Sequence, residues 1–298
     1  MDPARLHDLA DAVHALATAA GDPAHRRIVT ALEALAGVIE QLPTRPAGAA
    51  MQIRQAATQL ASSAPTSLDH ADLVQRALRE AERALHGQQP ASGRRRAFLL
   101  AVIAVGGALQ ELDGTRPLLE QQPSVIVALE AATDAVFLAH DADPPFPLPD
   151  VDAGTSRPPA AALDDARADT LALARAGWPD AHTFAAKLMT DLADVLAASS
   201  CTGAEDGVAE LRFQAQRLEH PRQGGFDEPG SIKAALTAAL DVLQQGAPDA
   251  TSVRDARDAV ASINEHASLP FQRAPIQDAV RATLDAFVQL QPSACFAR

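Results

Sequence analysis

Tyrosine is absent, tryptophan occurs once, and aromatic residues make up only 3% of the 298-residue chain. Strands favour aromatic and β-branched side chains, whereas a core of Ala, Leu, Val and Ile suits closely packed helices. The same scarcity leaves little material to line a large apolar pocket, so no cofactor is expected. Cysteine is nearly missing: Cys201 and Cys295 are the only two. Two such residues build neither a disulfide framework nor a metal-ligand spacing. With no signal-peptide pattern in MDPARLHDLADAVHAL, a reducing cytoplasm is the expected location. Lys187 and Lys233 are the only lysines. Arginine in place of lysine, with abundant alanine, is the mark of a bacterial genome rich in GC.

Positive charge is in deficit as well. The formal net charge is −13 and the isoelectric point about 5.0. A chain this acidic repels phosphate backbones and anionic lipid, so neither nucleic acid nor a membrane is an expected partner. No apolar run reaches the about 20 residues that a spanning helix needs. The run singled out is residues 97–109 (AFLLAVIAVGGAL), which reads as a helix buried on all sides. Glycine costs roughly 1 kcal/mol relative to alanine inside a helix, so Gly106 and Gly107 imply close backbone approach by a neighbour.

What is present is helical periodicity, interrupted at short intervals. The pattern predicts helices near 4–20, 24–42, 49–62, 70–86, 94–112 and 123–140. A second set is expected near 160–176, 180–199, 204–219, 229–245, 250–267 and 274–290. In the second helix Ile28, Leu32, Leu35, Ile39 and Leu42 form one stripe facing a core, as Phe184, Leu188, Leu192, Val195 and Leu196 do in the eighth. Asp22-Pro23 and Leu68-Asp69 carry helix-start signals, and Phe226-Asp227 stands where the second set would repeat the latter. Between the sets, residues 141–159 are crowded with proline, which fixes φ and removes backbone donors, and read as a linker.

The two sets match in register. ALATAAGDPAH ends at His25 and ALARAGWPDAH ends at His182, 157 residues later (182 − 25 = 157). Ile53, Leu60, Leu78 and Leu85 stand opposite Leu211, Leu218, Leu236 and Leu243 at a spacing of 158, and Ala128-Leu129 opposite Ala279-Val280 at 151. The expected fold is therefore all-α, with two tandem homologous six-helix halves at 1–140 and 160–298. Each half is either three stacked hairpins or a closed bundle. Within the first half, Ala31-Leu32, Ala77-Leu78 and Ala128-Leu129 recur on alternate helices, a period close to that of a helical-hairpin array. The fifth helices differ: the apolar run at 97–109 lies opposite DARDAVASINEHA, in a helix whose one apolar face is carried by Val253, Val260 and Ile263.

No phosphate loop, HExxH or paired CxxC is present. His7, Asp11 and His14 share one helix face but read as a solvated face rather than metal ligands. Asp164, Asp165 and Asp169 suit the first turns of a helix, where acidic side chains complement the dipole. His25 and His182 form a candidate symmetric pair, conceivable with Asp134 and Asp285. Arg94, Arg95 and Arg96 open a helix against its dipole and, with Val102, Gly106 and Gly107, are the candidate interaction residues. The functional expectation is a non-catalytic helical interaction module, adaptor or structural subunit that binds a protein partner or itself. The alternative is a small-molecule-binding or metal-dependent helical enzyme with its site between the halves.

Overall fold

A computed structural model of the chain describes residues 3–63, 70–90, 92–147, 159–175, 180–199, 201, 203–219 and 228–290. The described residues form twelve α-helices and no strand. In chain order these are α1 (Pro3–Ala17), α2 (Asp22–Ile39), α3 (Ala47–Ala61), α4 (His70–His86), α5 (Arg95–Gln110) and α6 (Gln122–Ala139). They are followed by α7 (Pro159–Arg175), α8 (Asp180–Ala197), α9 (Ala204–Glu219), α10 (Glu228–Gly246), α11 (Thr251–Ala261) and α12 (Arg273–Leu290). Two compact units divide the chain, Met1–Val151 and Asp152–Arg298. Leu68, Asp69, Phe226, Asp227, Cys295 and residues 148–158 of the expected linker lie outside the described residues.

In the first unit each helix packs on its neighbour in sequence, and α6 returns to pack on α1, so the six close into a bundle. The alternate helices α2, α4 and α6 also touch one another. This inner layer accounts for the recurring Ala-Leu pairs. Leu32, Leu78 and Leu129 are fully buried, and each adjoining alanine lets a neighbouring helix approach. The α2 stripe of Ile28, Leu32, Leu35, Ile39 and Leu42 is wholly buried. The helix starts one residue earlier than Asp22-Pro23 suggests as a cap. Gly21, at φ 64°, is the N-cap, and Asp22 lies inside the first turn.

The centre of this unit is α6, not the apolar run at 97–109. That run does form α5, but Leu100, Ile103 and Ala104 are half-buried and Gly107 is exposed. Residues 131–138 of α6 are all buried, more than two full turns, so no face there meets water. The cause is the number of neighbours. Helix α6 packs against α1, α2, α4, α5 and the 3-10 turn Leu118–Gln121, whereas α5 lies chiefly along α6 and α4. The segment Leu118–Ala139 is long and apolar enough by composition to cross a membrane, yet 61% of its apolar window is buried inside the bundle. Nor does a close backbone approach explain Gly107, because a Cβ there would meet nothing within 4 Å. The tight approach lies in α9, where a Cβ on Gly207 would come within 2.7 Å of Leu196 Cδ2 and 2.8 Å of Val242 Cγ2.

In the second unit α7 to α12 again pack in sequence, α12 returns to α7, and α10 touches both α8 and α12. Its core holds Leu188, Leu192, Val195, Leu196, Leu236, Leu240, Leu284 and Phe287, with Phe184 half-buried against it. Helix α11 is shorter than expected, ending at Ala261, because Asn264 organises a turn. Its Oδ1 accepts the His266 N–H at 3.0 Å, and its own N–H donates to Gln272 Oε1 at 2.8 Å. The same turn closes α5 in the first unit. There Asp113 Oδ1 accepts the Thr115 N–H at 2.8 Å, and the Asp113 N–H donates to Gln121 Oε1 at 2.6 Å. Both pairs of bonds are 151 residues apart (264 − 113 and 272 − 121), as are the 3-10 turns Leu118–Gln121 and Leu269–Phe271 at their first residues.

Candidate functional site

The polar groups of greatest interest are those the helices bury. On α4, His70, Val74, Leu78, Glu82 and His86 follow one another every fourth residue, so they form one line that winds slowly around the helix. All five are buried. The middle of the line is apolar and its ends are titratable. At the first end the His70 ring meets the His25 ring of α2, with centroids 5.0 Å apart and planes tilted by 44°. His25 is 4% exposed, and its Nε2 is buried with no hydrogen-bond partner. Burial, reinforced by the neighbouring His70, holds His25 below the usual imidazole range, with Asp22 opposing. The folded state therefore binds fewer protons here than the unfolded chain does. Its contribution is complete above pH 6.5 and is lost as pH falls toward the depressed value. At the other end, His86 Nε2 stands 3.6 Å from Glu82 Oε1, both side chains buried.

The second buried polar group is Asp134, in the part of α6 that has no wet face. It is 1% exposed. Desolvation raises it to about 7, opposed by the hydrogen bond from Phe146 and aided by Glu130 one turn earlier. Its Oδ1 accepts the Phe146 N–H at 3.0 Å. Phe146 belongs to residues 141–147, the start of the proline-rich stretch, which folds back onto the first unit. Arg94 anchors the same stretch. It donates to the Ala142 carbonyl at 2.7 Å and pairs with Asp143 at 2.8 Å and Asp141 at 3.4 Å.

Several sequence candidates change meaning against this geometry. His25 faces His70 within its own unit, and His182 is buried at the start of α8, where burial lowers it as well. Asp134 is buried while Asp285 is exposed, so the two aspartates are not equivalent in environment. Val102 is fully buried and Gly106 is buried, so neither offers a surface to a partner; Gly107 is exposed. Arg94 is paired with the chain's own residues 141–143, whereas Arg95 is half-buried and Arg96 exposed. His7, Asp11 and His14 lie on the exposed face of α1, opposite buried Leu6, Leu9, Val13 and Leu16. Asp164 and Asp165 are exposed and Asp169 is half-buried, with Arg167 3.3 Å from Asp164.

Sequence reasoning missed His70, the Glu82–His86 pair and the isolation of Asp134. The first two were within reach, since the fourfold line on α4 continues the stripe through Val74 and Leu78. Among the described residues, no three His, Cys, Asp or Glu side chains converge in a way that could hold a metal ion. Comparison with known proteins finds no matching family model, curated protein or solved structure.

Proposed function

We propose that the chain is a non-catalytic helical interaction module, an adaptor or structural subunit built from two copies of one six-helix unit. The repeated Asx turn and glutamine bond, at one spacing, support the duplication. A shared side-chain hydrogen bond at matching positions is a more specific trace of a common ancestor than shared leucines. The observation that carries the interaction reading is Phe271. It is 83% exposed, while Phe98, Phe137, Phe213 and Phe287 are buried.

Phe271 is also held in place. Its N–H donates to the Ser268 carbonyl at 3.0 Å, and Leu269 beside it is fully buried. The matching residue in the first unit, 151 positions earlier, is Glu120, which pairs with Arg116 at 3.6 Å. One copy thus presents a charged pair where the other presents a phenylalanine on a fixed turn. Covering such a side chain yields about 1.5–3 kcal/mol, and rigid aromatics are frequent anchors of protein interfaces.

The test compares the full chain with Phe271→Ala by light scattering across a concentration series and by capture of proteins from the native cell. Loss of self-association or of a captured partner, with an unchanged melting curve, supports the reading. A wild-type chain that stays monomeric and captures nothing beyond what Phe271→Ala captures would overturn it.

A further inference from the structure

We propose that residues 141–147 are a pH-sensitive strap on the first unit, fastened to the Asp134 carboxylic acid at one end and to Arg94 at the other. The sequence of the strap fixes how it is fastened. In DADPPFP, Pro144, Pro145 and Pro147 have no amide hydrogen, so the Phe146 N–H is the single backbone donor between residues 144 and 147. That donor goes to Asp134. The prolines also fix φ along the segment, so that ordering it costs less entropy than ordering a loop without them.

The two fastenings respond to different conditions. Asp141 and Asp143 are 65% and 92% exposed, so the Arg94 end is a surface ion pair that salt screens. The Ala142 carbonyl accepts a charge-assisted bond from the Arg94 guanidinium, which salt weakens less than the ion pairs because only one partner is charged. At the other end the carboxyl is sealed under the strap. A buried carboxyl resists ionisation, and an open strap would let water solvate it. By linkage, whatever holds Asp134 neutral in the closed state must make ionisation favour the open state.

Of the charged groups on α6 and the elements packed against it, Glu130 is the one that acts on Asp134. Glu130 lies on α6 itself and is raised by burial, with His14 of α1 opposing. His7 of α1 lies edge-on to Phe137 at 6.4 Å. From α2 and α4, His25 meets His70, and Glu82 meets His86. Arg94, just ahead of α5, is taken by the strap. His140, at the end of α6, is lowered by burial. Glu130 adds negative charge and so works in the same direction as the burial.

The experiment is hydrogen exchange at the Phe146 amide in the full chain, divided by the intrinsic exchange rate at each pH. Opening should rise about tenfold per pH unit between about 4 and about 7 and be level on either side, the signature of one released proton. Asp134→Asn keeps an acceptor without a charge and should leave the amide protected at every pH. Arg94→Ala should raise opening throughout and retain the slope. A slope that persists in Asp134→Asn, or a flat wild-type profile, would overturn the proposal. Carbon-13 titration of the wild-type Asp134 carboxyl supplies a second reading that needs no variant. A midpoint in the ordinary aspartate range would equally refute it.

Discussion

At the scale of single residues, the glycines separate what a sequence suggests from what packing demands. Gly106-Gly107 interrupts an apolar helix and invites the idea of a close contact, yet a Cβ on Gly107 would enter open space. Gly207 sits in an unremarked polar stretch, and its missing Cβ is what lets α9 approach Leu196 of α8 and Val242 of α10. Opposite outcomes are therefore expected from the same substitution. Gly107→Ala should stabilise the protein by about 0.5–1 kcal/mol, because alanine restricts the unfolded chain and favours the helix. Gly207→Ala should destabilise by about 1–2 kcal/mol, since two buried side chains must move and overpacking exceeds the gain in propensity. Urea denaturation of both variants checks the pair, with the midpoint moving up for the first and down for the second.

At the scale of elements, the turns that close α5 and α11 share a design but not an environment. Gln121 is 4% exposed and serves three backbone groups: it accepts from the Asp113 N–H and donates to the carbonyls of Asp113 and Arg116. Gln272 is half-buried and accepts from the Asn264 N–H. Gln121→Ala should cost about 1–3 kcal/mol, because it leaves part-buried backbone groups without partners. Gln272→Ala should cost less than about 1 kcal/mol, since water reaches the freed amide. The two midpoint shifts in urea, measured side by side, decide this. Helix positions were legible because each stripe, such as Ile28 to Leu42, repeats at a helical period that only one face of a helix satisfies. The identity of the central helix was not. Apolarity of a run measures its tolerance for burial, whereas burial itself is set by how many helices surround it. Helix α6 carries Glu130 and Asp134 and is nonetheless the more enclosed. The isolation of Asp134 was illegible for a related reason, because it depends on a loop folding back from twelve residues downstream.

At the scale of the molecule, the excess of acid is spread evenly. Residues 1–151 hold 12 basic and 18 acidic side chains, a net of −6, which leaves −7 for the remainder. Neither unit is a basic end suited to a phosphate backbone. Where the first unit stops is a sharper question, because composition places the boundary at residue 140 while the contacts carry it past the strap. Ending the chain at 140 would remove the Phe146 donor to Asp134 and leave Arg94 without Asp141, Asp143 and the Ala142 carbonyl. The exposed ion pairs contribute little, up to about 1 kcal/mol. The bonds at Asp134 and Ala142 each contribute about 0.5–1.5 kcal/mol. Fragment 1–140 should accordingly fold but be about 1–3 kcal/mol less stable than fragment 1–151, a lowering of roughly 3–10 °C in Tm for a domain of this size. Circular dichroism melts of the two fragments at about pH 4.5, near the foot of the window in which ionisation of Asp134 favours the open state, measure the difference. Equal melting temperatures would place residues 141–147 outside the folded unit, and failure of 1–151 to melt cooperatively would mean that the unit does not stand alone.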